Sequence, residues 1–170
     1  MTIRHARPED ARAIAAIHVR AWQAAYRGIV PSTFLDDLSI DRRESGWRRG
    51  LEQGGATVFV AEENGQPLGW VNLGPSRDAD AGTGTGELYA LYVAPEHWRR
   101  GVGYRLISDS EKHLSGSGFT DVTLWVLSDN SSARAFYGAS GFALDAGVEK
   151  MVQLGGAELR EVRLRHHIGR

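Results

Sequence analysis

The chain contains no cysteine. Disulfides, thiolate metal sites and a cysteine nucleophile are excluded together, and the composition suits a reducing compartment. No run of 18 apolar residues occurs, and the opening "MTIRHARPED" lacks the apolar core of a signal peptide. No membrane partner is expected, and a cytoplasmic location is. Neither sign of charge is in excess. Lys and Arg number 20 against 21 Asp and Glu, a formal net charge of −1. Nucleic acid and anionic membrane surfaces call for a basic excess, so both are disfavoured as partners. What remains is ordinary globular composition over 170 residues, 42% hydrophobic and 24% charged. That length supports one domain with a buried core, so a single domain over 1–170 is expected.

The periodicity orders the elements. "TIRHA" suggests a short strand. Pro8, Glu9 and Asp10 open a helix whose inward stripe is Ala11, Ile14, Ala15, His18, Trp22 and Ala25, and which Gly28 and Pro31 end. His18 on that stripe reads as a hydrogen-bonded core histidine. Residues 32–53 read as one or two shorter helices. "TVFVAEENGQPLGWVNLG" predicts a hairpin turning at Asn64-Gly65. The polar, glycine-rich segment 75–86 reads as a mobile surface loop. "ELYALYV" and "DVTLWVL" are apolar on both faces and hence central strands. Between them a helix runs from about Gly101 to Leu114, with Val102, Leu106, Ile107, Ser110 and Leu114 inward. A further helix ends at Gly141, and two alternating strands close the chain around Gly155-Gly156. The predicted architecture is α/β, in the order β-α-α-β-β-β-α-β-α-β-β, with a mixed sheet between helices. His166-His167 reads as a solvated strand end, and no metal is expected.

The chemistry is concentrated in "YVAPEHWRRGVGYRLI", residues 92–107. A strand runs into a basic, glycine-containing loop that opens a helix. Free N–H groups at a helix start carry partial positive charge and bind phosphate oxygens. Glycines at 101 and 103 allow close main-chain approach, and Arg99 and Arg100 add charge at the mouth. A Walker loop needs Gly-Lys-Ser/Thr, whereas Tyr104-Arg105 follow Gly103. A dinucleotide fingerprint needs a third glycine, and residue 106 is leucine.

A strand ending in valine, a proline, then Arg/Gln-x-x-Gly-x-Gly/Ala resembles the coenzyme A signature of the GCN5-related N-acetyltransferases. Trp98 stands where that pattern has Arg or Gln. A second stretch, "LSDNSSARAFYGASGF", supplies the asparagine and the tyrosine seven residues later that the family carries, here Asn130 and Tyr137. Ala133, Phe136, Gly141 and Phe142 complete its run.

The resemblance implies a splayed mixed sheet and acetyl-CoA as cosubstrate. Transfer would pass directly to a primary amine, since no cysteine can carry the acetyl group. It also implies the contacts. Leu91, Tyr92 and Val93 would offer a strand edge to the pantetheine arm. Trp98, Arg99, Arg100, Gly101, Val102, Gly103 and Tyr104 would hold the pyrophosphate. Asn130 would orient pantetheine or cap its helix, and Tyr137 would protonate the departing thiolate. Glu87 falls where the histone-acetylating branch has its base, about 20 Å of strand before Val93 at ~3.3 Å per residue. The branch acetylating ribosomal proteins has a glutamate where this chain has Trp125, so that mechanism does not transfer. Trp22, Tyr26, Arg27, Tyr89 and Trp125 are the expected acceptor-site walls. A small-molecule amine is the favoured acceptor; a protein amine and a non-catalytic acyl-CoA sensor are the alternatives. A homodimer is compatible with these expectations.

Overall fold

The computed structural model describes residues 1–55 and 57–169. Strand β1 (Thr2–His5) leads through a single turn at Pro8–Asp10 into α1 (Ala11–Ala25), α2 (Ser32–Asp36) and α3 (Ile40–Gln53). The region 32–53 therefore forms two helices. Then come β2 (Thr57–Glu63), β3 (Gln66–Pro75), β4 (Thr85–Val93), α4 (Val102–Gly116), β5 (Asp121–Leu127), α5 (Ser131–Ala139), β6 (Ala143–Leu154) and β7 (Ala157–His167). Among the described residues no helix is long and apolar enough to cross a membrane.

The seven strands form one sheet in the order β1-β2-β3-β4-β5-β7-β6. Every neighbouring pair is antiparallel except β4–β5, which is parallel. Helices α1 and α3 cover one face, where Ile14, Ile17, Val58, Val60, Trp70 and Ala94 are buried together. Trp70 is wholly buried there, and its indole N–H donates to the Ile14 carbonyl at 3.1 Å, so no polar atom of the ring is stranded. Helix α4 covers the other face through Val102, Leu106, Ile107, Ser110 and Leu114, the inward set its sequence spacing predicts. The Ser110 hydroxyl donates to the Leu106 carbonyl at 2.7 Å, which is how a serine is buried without loss.

The parallel contact is brief. Only Thr85↔Asp121, Gly86↔Val122 and Glu87↔Thr123 pair, after which β4 stays with β3 and leaves β5. A bulge follows at once: Leu73 pairs Leu88 while Asn72 pairs Ala90, so Tyr89 is the extra residue. A bulge bends its strand and sharpens the local twist. It also inverts the alternation, so that Glu87 and then Ala90 and Tyr92 face α1, while Leu88 and then Leu91 and Val93 face α4.

The expectation of a mobile loop before β4 is corrected. Residues 76–84 are tied to the sheet by charge. Arg77 grips Glu87, and Asp78 accepts from the Trp125 indole N–H at 3.0 Å. Arg163 of β7, only 3% exposed at its side chain, donates to Asp78, Asp80 and Asp145. Arg163 lies 85 and 83 residues along the chain from Asp78 and Asp80, which is why local composition conceals the contact.

Removing Arg163 strips three carboxylates of their shared cation, yet each keeps some contact with water. Arg163→Met is therefore expected to cost on the order of 3 kcal/mol of stability, at the lower end for a broken buried ion pair. It should also make the 76–84 segment the first site cut in limited proteolysis. Hydrogen bonds from Arg163 hold the Asp80 carboxyl below the usual range. A depressed carboxyl stabilises above its unfolded value near ~3.9, and that contribution is lost as pH falls through the folded value. Acidification should accordingly release the loop in the wild type, and Arg163→Met should already resemble the acid form at neutral pH.

Candidate active site

Beyond Glu87 the sheet opens into a cleft of about 1130 Å³. One wall is the unpaired edge of β4 at Leu91, Tyr92 and Val93, and the other is β5 with α5. An edge with free main-chain N–H and C=O groups is a ready partner for an extended amide-bearing chain.

At the mouth, a short turn at Pro95–His97 carries the chain from β4 to α4. Trp98 staples that turn to the strand, its indole N–H donating to the Val93 carbonyl at 2.8 Å. Arg99 and Gly101 both adopt left-handed backbone, with φ of 57° and 81°. The first helical bond of α4 is Arg105 N–H to Gly101 O at 3.1 Å, and no side chain caps the helix. The amides of Val102, Gly103 and Tyr104 are thus left without helical acceptors, aimed at the mouth. Arg99 lines the cleft, whereas Arg100 turns to His97, with Nη1 3.1 Å from its Nδ1.

The two glycines have different causes. Gly101 has open space around it and is required for its backbone angle. At Gly103 an added Cβ would lie 2.8 Å from the Phe136 ring. Its bareness lets α5 sit against α4 as well as exposing main chain. Asn130 caps α5, its side-chain oxygen accepting from Ala133 N–H at 3.1 Å. The cap is therefore the role the geometry gives it.

Three phenols converge where the strands part. Tyr137 of α5 lies between Phe136 and Phe142, with ring centroids 5.1 and 5.9 Å away. Burial, and then the neighbouring Tyr92, push its hydroxyl above the ordinary tyrosine value. Burial raises Tyr26 and Tyr92 as well. All three stay neutral across any working pH.

Deeper in, Glu87 is 1% exposed. It accepts from Arg77 three times, from the backbone N at 2.9 Å, Nε at 3.2 Å and Nη2 at 2.5 Å. The Arg77 guanidinium also lies over the Tyr89 ring at 4.2 Å, and the Tyr89 hydroxyl donates to the Pro75 carbonyl at 2.6 Å. Trp125 forms the floor, its face covered by Lys150 with Nζ 4.0 Å from the ring centre. Trp22 and Tyr26 form the roof as an edge-to-face pair 4.9 Å apart, with the Trp22 indole nitrogen buried and without a hydrogen-bond partner among the described residues.

Three expectations are corrected here. Arg27 does not reach this cleft; it is exposed and lines a separate hollow with Gly28, Pro31 and Asp36. His18 is not hydrogen-bonded: both ring nitrogens are buried without a partner among the described residues. It stacks on Tyr92 at 4.9 Å, and burial with the nearby Arg43 pushes its pKa down to about 3, so it is a neutral spacer. His166 is half-buried rather than solvated, with Nδ1 2.8 Å from a Glu111 oxygen. Among the described residues no His, Asp and Glu cluster could hold a metal. Arg77, Lys150 and Glu161 also line the cleft. No motif marks them; for the last two, strand alternation toward the α1 face is the only signal.

A helix start with free amides, a free strand edge and an aromatic chamber in sequence fit a coenzyme-dependent acyltransferase. Comparison with known proteins agrees. Residues 14–142 match the model of the Acetyltransferase (GNAT) family. The uncharacterized N-acetyltransferase YuaI of Bacillus subtilis is 34% identical over 165 residues, 96% of this chain and 91% of that protein. The L-amino acid N-acyltransferase MnaT of Escherichia coli is 29% identical over 91% of this chain and 85% of its own. Among solved structures, yncA of Salmonella typhimurium, a putative acetyltransferase determined with acetyl-CoA, superposes with a TM-score of 0.74 at 25% identity. It covers 100% of this chain and 95% of its own. The chain belongs to the GCN5-related N-acetyltransferase family and is an N-acetyltransferase with acetyl-CoA as its donor.

The different causes at the two glycines can be separated. Gly103→Val should destabilise by about 1–3 kcal/mol through overpacking, and Phe136→Ala in the same chain should offset part of that loss. Gly101→Ala should cost about 1–2 kcal/mol through its left-handed backbone, and Phe136→Ala should give no relief. Denaturant unfolding of the two double-mutant cycles reads the difference.

Proposed function

We propose that this enzyme moves acetyl from acetyl-CoA directly to the primary amine of a small molecule, with both substrates bound at once. The observation that carries this is the shape of the inner end of the cleft. The 76–84 segment closes it on one side through Arg77–Glu87 and Asp78–Trp125, and α1 closes it on the other through Trp22 and Tyr26. A chamber roofed on both sides suits a compact acceptor better than an extended peptide, which wants an open groove or sheet edge. MnaT, whose name gives L-amino acids as its substrates, supports the same choice.

In this reading the helix start at 101–104 with Arg99 holds the pyrophosphate. Pantetheine runs along Leu91–Val93, and a main-chain N–H of that edge polarises the thioester carbonyl. Tyr137, kept neutral by burial, donates to the sulfur as it leaves. Glu87 holds Arg77 and thereby the wall of the chamber. All three of its hydrogen bonds come from Arg77, which gives it a positioning role.

Free coenzyme A release should be followed with acetyl-CoA and two acceptor panels, small primary amines and peptides with free N-termini or lysines. Small amines are expected to give kcat/KM at least tenfold above the peptides, with intersecting initial-velocity lines. Peptides turning over faster would overturn the small-molecule assignment, and parallel lines the direct transfer. Tyr137→Phe should leave coenzyme affinity nearly intact and lower kcat by roughly 10²–10³-fold. A change confined to KM would make the phenol a positioning group.

A further inference from the structure

The chamber holds a second carboxylate. Glu161 of β7 pairs in register with Leu127, the last residue of β5, and with Lys150 of β6. It therefore sits at the open end of β5, where Glu87 sits at the end still paired with β4. Glu161 lines the cleft on the α1 face. Its carboxylate is close enough to the Tyr26 and Tyr92 phenols to add to the rise of both. No described residue donates a hydrogen bond to it, and its one counter-ion is Lys150, with Nζ 3.5 Å away. At 43% exposure, the Lys150 side chain is partly in solvent and also covers Trp125, so it can yield to another cation without being stranded.

The two carboxylates are thus opposites. Glu87 is saturated by a fixed bidentate arginine, while Glu161 keeps its lone pairs and faces the phenols at the splay. We propose that Glu161, resting on the acetyl-transfer function above, receives the acceptor's ammonium group and takes its proton. The acceptor enters as R–NH₃⁺ and displaces Lys150 from the carboxylate. One proton passes to Glu161 and the freed amine lone pair attacks the thioester carbonyl carbon. The C–N bond forms, the C–S bond breaks, and the sulfur leaves with its electron pair. Tyr137 gives that sulfur its proton and regains one from the nitrogen, so the phenol is unchanged at the end. Glu161 then returns its proton to solvent. The acceptor this selects is a cationic primary amine with an apolar or aromatic body to lie against Trp22, Tyr26 and Trp125.

The groups facing Glu161 that could shape its pH response are Lys150 of β6, Arg163 on its own strand, Tyr26 of α1, and Tyr92 of β4. Tyr137 of α5 and Arg43 of α3 stand behind Tyr92. The phenols remain neutral, and Arg163 is committed to aspartates. Lys150 is therefore the one group whose removal should move the profile.

The test uses the full chain with acetyl-CoA and tyramine, phenethylamine and L-phenylalaninamide as acceptors. Glu161→Gln should lower kcat/KM by about 10²-fold or more, flatten its acidic limb and recover in part at high pH, where free amine needs no base. Coenzyme A affinity by calorimetry should stay within twofold of wild type, which a misfolded variant would not achieve. Lys150→Gln, removing the cation that the acceptor must displace, should lower KM for the three amines and move the acidic limb to higher pH. If Glu161→Gln acetylates the amines within threefold of wild type with its acidic limb intact, the inference is overturned while the transferase function stands. The same holds if Glu87→Gln, and not Glu161→Gln, abolishes the limb. A wild-type protein that binds coenzyme A but acetylates none of the three overturns the cationic-amine assignment. If it also acetylates no other primary amine, the acceptor reading beneath it fails too.

Discussion

Everything functional in this molecule follows from two strands that pair for three residues and then part. Had β4 continued alongside β5, its edge would be satisfied by sheet hydrogen bonds and there would be no cleft. The bulge at Tyr89 enforces the separation by bending β4, and β3 keeps β4 ordered from the far side. Open main-chain groups in a sheet centre are costly unless something pairs with them. The pantetheine amides are of the right kind to do so. In the function proposed above, coenzyme binding completes the sheet rather than perturbing it.

The same parting sets a problem in electrostatics. Charged groups are gathered at its inner end, and most are neutralised locally. Arg77 answers Glu87, and Arg163 answers Asp78, Asp80 and Asp145. Each such pairing sacrifices hydration for position, and its return is a fixed wall rather than much net stability. The loop before β4 illustrates this. Its backbone is polar and glycine-rich, yet it is held because its charges reach strand residues far along the chain. Glu161 differs in being paired loosely, and a loosely paired carboxylate in a chamber is available for chemistry.

Features carried by local sequence were legible. The α4 inward stripe, the glycine loop and the Asn130 cap depend on spacings of a few residues. Each appears where those spacings place it. What stayed hidden depends on long-range register. Nothing near Arg77 announces Glu87, and nothing near Glu161 announces Tyr26 and Tyr92. Arg27 was misplaced because it follows Tyr26 in sequence, while the chain turns outward after α1 and carries it to another face. At His18 helical periodicity correctly gave burial, but it could not give partners. An imidazole with both nitrogens unsatisfied is a contact surface for Tyr92, tolerated because burial keeps it uncharged.

The three phenols also constrain how protons can move. A thiol near ~8.5 and a tyrosine near ~10 already differ by about 1.5 units, so full proton transfer from phenol to thiolate is uphill by about 2 kcal/mol. Burial widens that gap at Tyr137. An isolated transfer would therefore leave a buried phenolate, the species its surroundings least accept. The cost disappears if the phenol regains a proton in the same event from the nitrogen that has just attacked, because a cationic nitrogen bonded to the acyl carbon is a stronger acid than the phenol. In the proposed reaction Tyr137 thus works as a relay across the forming and breaking bonds. Its raised proton affinity would keep it loaded between turnovers, and the same proposal leaves removal of the first proton, the one on the incoming ammonium, to a carboxylate elsewhere in the chamber.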